Sequence, residues 1–239
     1  MSGTAQTTSQ RKFRPIYLLY FLMAFIIIFI LSFAIFKPIK VLPRISLAPG
    51  YAVTNQDNEP RNSEDYRGKL TLYSFTYTNC DEECSQVVDH MKAMRELLAQ
   101  SEVQDVSYAL VTVSLDPERD TPEALRTFAA PYMDTEDNPV TWDFLTGDPT
   151  KMKYMTGGGF GLFYEPVSDA SSGDDYEVRF YPRFVLVDGW GIIRAEYLTA
   201  DLDYDEVLSD ISYLTTEIAN SQGAAKYAYE AAHLFRCYP

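Results

Sequence analysis

The sequence predicts an α/β domain built on one layered sheet and joined to a single N-terminal transmembrane helix. Residues 15–36 contain no charged side chain. The segments beyond residue 50 alternate between strand-like and helix-like patterns, which is typical of a sheet covered by helices. Two cysteines, Cys80 and Cys84, stand where one of these strands is predicted to turn into a helix.

The uncharged segment at residues 15–36 is long enough to cross a bilayer. Its 22 residues are rich in Ile, Leu and Phe. At about 1.5 Å per residue they would form about 33 Å of helix, against a hydrocarbon core of about 30 Å. The apolar region of a cleaved signal peptide is shorter, roughly 7–15 residues. We therefore predict an uncleaved signal anchor.

The charges that flank this segment predict its orientation. The tail at residues 1–14 carries Arg11, Lys12 and Arg14 and no acid, a pattern that keeps such a tail in the cytoplasm. A large following domain is translocated largely regardless of its own charge. We therefore expect a single-pass protein of the cell membrane. Its C-terminal domain is expected on the extracytoplasmic side, where a disulfide can persist.

The charge distribution limits the partners of that domain. Residues 1–44 hold 6 of the 20 Lys and Arg and none of the 34 Asp and Glu, so the remainder carries 14 basic against 34 acidic side chains, a net of −20. Such a surface excludes nucleic acid as a partner, because the phosphate backbone would be repelled. It is compatible with a basic electron carrier or a basic subunit, while solubility is the simpler explanation.

One domain is predicted at residues 50–220, followed by a C-terminal docking tail at 221–239. Residues 37–49 contain three prolines, which favours an extended tether between membrane and domain. The predicted strands lie near residues 51–58, 70–76, 106–115, 140–145, 183–187 and 192–197, and the predicted helices lie near 80–98 and 203–220 and begin at 121 and 148. Strands that alternate with helices, closing on a hairpin and a helix, indicate a thioredoxin-like fold.

Local signals predict where several of these elements begin. Thr121-Pro122-Glu123 supplies an N-cap, a proline at the first helical position and an acid in the first turn. Asp148-Pro149 starts another helix. Asp188-Gly189-Trp190-Gly191 separates two β-rich runs and therefore predicts a hairpin turn.

The thiol motif and its surroundings are similar to those of a known family. The segment Thr76-Tyr77-Thr78-Asn79-Cys80-Asp81-Glu82-Glu83-Cys84 and the run Val113 to Glu123 resemble the two signatures of the Sco/SenC family. Further matches are the segments Tyr51–Asn58, Leu145–Gly147 and Leu186–Gly189. The resemblance covers roughly residues 48–215. It implies a membrane-anchored thioredoxin-fold protein linked to copper delivery for cytochrome oxidase, in which Cys80, Cys84 and a histidine would bind copper.

The expected histidine ligand is missing from this chain. Counting back from Gly191, the resemblance places it at position 180, which is Phe180 here. The only histidines in the sequence are His90, on the helix after the cysteines, and His233, near the C-terminus. A phenyl ring cannot coordinate a metal, so the three-ligand site of the family is incomplete.

Copper binding by fewer than three ligands is the alternative. Two thiolates, from Cys80 and Cys84, can hold Cu(I), which tolerates soft ligands and low coordination. Asp175, Glu177 or a methionine could add a ligand, although the simpler interpretation counts these acids as part of the acidic surface. We therefore expect no resident cofactor, with copper as the alternative.

The cysteine pair itself has two interpretations. The start of a helix stabilises a thiolate. However, Asp81, Glu82 and Glu83 place three acids between the thiols, and nearby negative charge raises a thiol pKa. The pair is therefore either redox-active or an inert structural disulfide.

Pro182 supplies the argument for a redox role. It stands six residues before Asp188, where thioredoxin-like oxidoreductases carry a cis-proline that faces their cysteines. We therefore predict a cis Tyr181–Pro182 bond near Cys80 and Cys84. The alternative is an ordinary proline at the entrance of a strand.

The C-terminal docking tail carries an apolar pattern at helical spacing. Tyr227, Ala231, Leu234 and Phe235 would form one stripe on a helix. This stripe packs either on its own domain or on a partner. Cys237, which has no partner at a useful spacing, is expected to be a free terminal thiol.

Three functions from different classes follow. The first is an accessory subunit or assembly factor of a membrane electron-transfer complex, respiratory or photosynthetic, with a degenerate copper site. The second is a Cu(I) chaperone for cytochrome oxidase assembly. The third is a thiol-disulfide oxidoreductase, which is the only enzyme among them.

Overall fold

The computed structural model describes residues 15–36, 39–80, 82–101, 106–133, 138–168 and 176–235. The helices are α1 (Pro15–Phe36), α2 (Glu82–Ala99), α3 (Pro122–Ala129), α4 (Pro149–Lys153), α5 (Tyr204–Ala219) and α6 (Ala225–Leu234). The strands are β1 (Ser46–Leu47), β2 (Ala52–Asn55), β3 (Pro60–Asn62), β4 (Lys69–Thr76), β5 (Ser107–Ser114), β6 (Thr141–Thr146), β7 (Tyr164–Ser168), β8 (Tyr176–Phe180), β9 (Phe184–Val187) and β10 (Ile192–Tyr197).

Eight of these strands form one sheet, in the order β1-β10-β9-β4-β5-β6-β2-β3. The central strands β4, β5 and β6 are parallel, and β9 pairs antiparallel with β4. Strands β7 and β8 form a separate antiparallel hairpin. This mixed sheet with helical connections is the predicted thioredoxin-like α/β fold.

The sheet separates two apolar cores, because successive side chains of a strand point to opposite faces. On β4, Leu70 and Leu72 face a core formed with helices α2 and α5, whereas Tyr73 and Phe75 face a core that contains Phe160. Burial of one such large apolar side chain stabilises the fold by about 1.5–3 kcal/mol. The central strands are therefore held from both sides, and the loops at their ends are built on a rigid base.

The predicted local signals are confirmed. The Thr121 hydroxyl accepts a hydrogen bond from the Ala124 amide at 3.2 Å, and the Asp148 carboxylate accepts one from Lys151 at 3.0 Å. In the turn between β9 and β10, the Asp188 carboxylate accepts hydrogen bonds from the Trp190 and Ile192 amides. Gly191 has a φ of 75° in that turn, a conformation that glycine adopts without steric cost.

Residues 39–49 lie along the domain rather than extending away from it as the predicted tether would. Val41 and Leu42 are buried, and β1 pairs with β10. The buried Arg194 guanidinium donates to the carbonyls of Leu42 and Pro43 at 2.9 and 3.0 Å. Since a buried guanidinium must find acceptors, it ties this segment to the sheet.

Helix α1 leads into this segment. Residues 16–33 are long and apolar enough to cross a membrane, and they fit either a membrane anchor or a signal sequence. Nearly all of the described α1 side chains are exposed, while Phe33 and Ile39 pack against Val41 and Ala232. The predicted cytoplasmic tail at residues 1–14 lies outside the described residues.

Candidate functional site

Cys80 lies between the end of β4 and the start of α2. Strand β4 ends at Thr76 and α2 begins at Glu82, so the predicted turn from strand to helix is confirmed. Cys80 is partly buried, packs on the core that contains Phe160, and is disulfide-bonded. Cys84 belongs to α2, but its side chain, like Asp81 and Cys237, lies outside the described part of the structure.

The loop before Cys80 is held by the buried Asp120 carboxylate. It accepts hydrogen bonds from the Thr78 amide at 3.2 Å, from the Thr78 hydroxyl at 2.5 Å and from the Ser114 hydroxyl at 2.5 Å. Burial raises the pKa of Asp120, and the hydrogen bonds from Ser114 and Thr78 oppose that rise. Asp120 therefore fixes the backbone two residues before the cysteine.

A second carboxylate, that of Asp116, connects the segment after β5 to the β7–β8 hairpin. The Asp116 carboxylate accepts a hydrogen bond from the Tyr176 hydroxyl at 2.7 Å and one from the Arg119 guanidinium. That guanidinium also lies 3.8 Å from the centre of the Tyr176 ring, a cation–π contact. Burial and the Asp116 hydrogen bond raise the pKa of Tyr176 to about 12. Tyr176 is therefore neutral at physiological pH.

The roles of these residues were not predicted from the sequence. Asp116, Arg119 and Asp120 belong to the run at residues 113–123 that resembles the family signature, so that run was the available signal. Tyr176 had no such signal, because it reaches Asp116 from the β7–β8 hairpin, 60 positions along the chain.

Phe180 lies close to the cysteine loop. It ends β8, and its ring is edge-on to the Tyr77 ring with the centres 6.3 Å apart. The Tyr77 hydroxyl also accepts a hydrogen bond from the Val178 amide at 3.2 Å. Phe180 and Cys80 pack on the same apolar core. The structure therefore brings position 180 to the site, where a phenyl ring offers no metal ligand.

The two histidines lie elsewhere and have other partners. His90 faces the core formed with α2 and α5, where its Nδ1 is 2.6 Å from the Tyr204 hydroxyl. His233 Nε2 lies 3.1 Å from a Glu217 oxygen on α5. Among the residues that the structure describes, no group of three or more His, Cys, Asp or Glu is placed to hold a metal. Glu177 is exposed on β8, and Asp175 lies outside the described residues.

The prediction of a cis Tyr181–Pro182 bond is wrong. The described part of the chain contains no cis peptide bond, so this bond is trans. Residues 181–183 connect β8 directly to β9, and Arg183 anchors this connection by donating to the Phe160 carbonyl at 2.8 Å. A trans bond therefore spans this three-residue connection. The alternative of an ordinary proline at a strand entrance describes Pro182.

Comparisons with known proteins identify the relatives of this arrangement. Residues 42–216 match the SCO1/SenC family. The SCO1 protein homolog of Bacillus subtilis is 28% identical over 168 residues, which cover 70% of this chain and 81% of that protein. The solved structure of BsSco, described as a member of the Sco family of cytochrome c oxidase assembly proteins with a disulfide switch, is 26% identical. Its TM-score is 0.58, with 74% of this chain and 98% of that chain covered.

The fold is also that of a copper-bound relative. Bradyrhizobium japonicum ScoI with copper bound has a TM-score of 0.57 and 19% sequence identity, over 70% of this chain and 98% of that chain. At this identity the likeness concerns the fold. The predicted thioredoxin-like Sco architecture is confirmed by these comparisons.

Proposed function

Because the chain belongs to the SCO1/SenC family, we propose that it is a membrane-anchored accessory subunit or assembly factor of a membrane electron-transfer complex. In this proposal the cysteine site has lost the three-ligand copper centre, and it holds a disulfide in its resting state. The domain stands on the extracytoplasmic side, where a disulfide is stable. Its partners are the other subunits of that complex, with a basic electron carrier as a further candidate.

The observation that carries this proposal is the residue at position 180. Phe180 packs on the same core as Cys80 and contacts Tyr77, in the segment that leads to Cys80. Cu(I) prefers thiolate, thioether and imidazole ligands. Cys80 is disulfide-bonded, and the described residues contain no group of three or more His, Cys, Asp or Glu placed to hold a metal. Copper binding would therefore depend first on reduction of Cys80 and Cys84.

The placement of the domain rests on α1 and on the charges around it. Arg11, Lys12 and Arg14 precede the apolar span and no acid does, which supports a cytoplasmic N-terminus. The 34 acids all follow residue 44. An acidic domain attracts basic partners by steering, so we expect a basic surface on the complex that it serves.

A competitive Cu(I) titration of the full chain in detergent, reduced beforehand, tests the loss of the copper centre. A Cys80→Ser, Cys84→Ser double variant is titrated beside it. We expect the parent chain to bind Cu(I) weakly, at most at the level of two thiols without a third ligand. Tight binding of one Cu(I), abolished in the double variant, would contradict the proposal.

Isolation of the native membrane complex tests whether the chain is a stable subunit of it. We expect the chain to co-purify with subunits of a respiratory or photosynthetic complex after mild solubilisation. Recovery of the chain as a free protein, with a fully assembled oxidase elsewhere, would refute a stable subunit and leave an assembly factor.

The second candidate function is a Cu(I) chaperone for cytochrome oxidase. The family match and the retained pair Cys80 and Cys84 favour it. It requires tight Cu(I) binding in the parent chain, so the same titration decides between the two. The trans Tyr181–Pro182 bond removes the specific argument for a thioredoxin-type oxidoreductase.

A further inference from the structure

Helix α6 carries an apolar face that the domain does not cover. Tyr227 and Leu234 are 77% and 82% exposed. They lie on the same side of the helix, because seven residues make almost two turns. Ala232, on the opposite side, is fully buried against Val41. The outward face is therefore a surface without a described partner, while the inward face fixes the helix.

The C-terminal end of α6 contacts the apolar helix α1. The ring centres of Phe33 and Phe235 are 5.7 Å apart. Phe33 lies about 27 Å along α1 from Pro15, at about 1.5 Å per residue. If the apolar run is centred in a core of about 30 Å, Phe33 stands a few ångströms inside the outer edge of the hydrocarbon. Phe235 reaches the same level.

Side-chain contacts hold α6 beside the outer end of α1. Arg44 bridges to Glu230 at 3.1 Å, and His233 lies 3.1 Å from Glu217. Arg194 joins Glu217 to the backbone that follows α1, through a 2.7 Å ion pair. Helix α6 is thus tied both to α5 and to the juxtamembrane segment.

The charge around α6 differs from that of the rest of the domain. Residues 221–239 contain one acid, Glu230, against Lys226 and Arg236, so 33 of the 34 acids lie elsewhere. Glu230 is paired with Arg44. An acidic surface is repelled by anionic lipids, whereas a neutral or basic one is not. Tyrosine beside basic residues is typical of the membrane interface.

We propose that α6 lies on the outer surface of the lipid bilayer beside α1, with Tyr227 and Leu234 turned to the lipid. The occupant of the exposed face is the membrane itself, because the face continues from the apolar surface of α1. This inference rests on the membrane anchoring in the proposed function. It assigns α6 the role of a second membrane contact, which holds the domain in one orientation.

That orientation bears on the cysteine site. Arg194 binds the backbone of the segment that follows α1 and pairs with Asp188. Asp188 follows β9, and the end of β9 lies beside the start of β4. Cys80 follows the opposite end of β4. Cys80 and the juxtamembrane segment therefore lie at opposite ends of β4. In this orientation a protein outside the membrane can reach Cys80.

Tryptophan fluorescence in vesicles of phosphatidylcholine with a minor share of phosphatidylglycerol tests the proposal. All variants are made in the full chain with Trp190→Phe, because an exposed Trp190 would respond to the lipid itself, whereas Trp142 is buried. Leu234→Trp is then compared with Glu123→Trp, an exposed position at the start of α3 near the Cys80 end. Brominated phosphatidylcholine serves as the quencher. Phe25→Trp, within α1, reports the anchor.

The emission of the Trp190→Phe parent, which comes from Trp142, is subtracted first. We then expect brominated lipid to reduce the Leu234→Trp emission at least about two-fold and to leave Glu123→Trp unchanged. Quenching of Phe25→Trp without quenching of Leu234→Trp would overturn the inference and leave the anchor intact; the face would then be covered by a protein partner. If Phe25→Trp is not quenched either, the anchoring in the proposed function fails. Both α6 and α1 positions are exposed, so these substitutions leave the core unchanged.

Discussion

Replacement of Asp120 tests whether one buried carboxylate holds the cysteine loop. In Asp120→Ala, the Thr78 amide, the Thr78 hydroxyl and the Ser114 hydroxyl lose their acceptor. A hydrogen bond to a charged group contributes about 1.5–3 kcal/mol, and a buried donor left without an acceptor costs about 1–3 kcal/mol. Part of this loss is offset, because the buried carboxylate no longer has to be desolvated. We expect a net destabilisation of about 3–5 kcal/mol.

Chemical denaturation of the full chain in detergent measures this loss, with Ser114→Ala as the matched control. That variant removes one hydrogen bond to the Asp120 carboxylate and one from the Asp116 amide, so it should cost about 1.5–3 kcal/mol. The disulfide of Cys80 should also be reduced faster by dithiothreitol in Asp120→Ala, since the backbone two residues away is released. A loss of stability no larger than that of Ser114→Ala, with an unchanged reduction rate, would refute the assigned role.

Three further predictions concern the rest of the domain. Arg194→Met should destabilise by about 3–5 kcal/mol, because it removes the cation that pairs with the buried Asp188 and with Glu217; an unfolding midpoint equal to that of the parent would contradict it. Although burial pushes the pKa of Glu217 upward, Arg194 and His233 outweigh it and hold that pKa below 4.5. The ionised Glu217 therefore stabilises the folded state above pH 4.5, and this contribution is lost as the pH falls through the lowered pKa. Unfolding midpoints measured between neutral and acidic pH will show this loss. Thr121→Ala should cost about 1 kcal/mol by loss of the N-cap of α3, whereas Thr121→Ser should restore it.

The elements that the sequence predicted correctly are those specified by neighbouring residues. The start of α3 depends on Thr121 and Pro122, and the turn between β9 and β10 depends on the Asp188 carboxylate and Gly191. Central strands such as β4 are visible because both of their faces are apolar. The thiol motif was visible for the same reason, since Cys80 follows such a strand directly.

The features that were missed depend on contacts between distant residues. The β7–β8 hairpin brings Tyr176 to Asp116 and Phe180 to Tyr77, and neither contact leaves a local pattern. The packing of residues 39–49 on the domain depends on Arg194, about 150 positions later. Proline spacing alone could not distinguish that packed segment from a free tether.

The cis proline was predicted by analogy with oxidoreductases of the same fold. Pro182 has the spacing from Asp188 that the analogy requires, but the bond is trans. A shared fold does not carry over each functional detail.

The loss of the third copper ligand is tested by the Cu(I) affinity of reduced Phe180→His, compared with that of the reduced parent chain. Phe180 contacts Tyr77 in the segment before Cys80, and its phenyl ring offers no ligand. We predict that the histidine raises Cu(I) affinity at least about tenfold, which corresponds to about 1.4 kcal/mol, and that Cys80→Ser abolishes the gain. Equal affinities for the parent and Phe180→His would contradict the claim, whether both bind copper tightly or neither does.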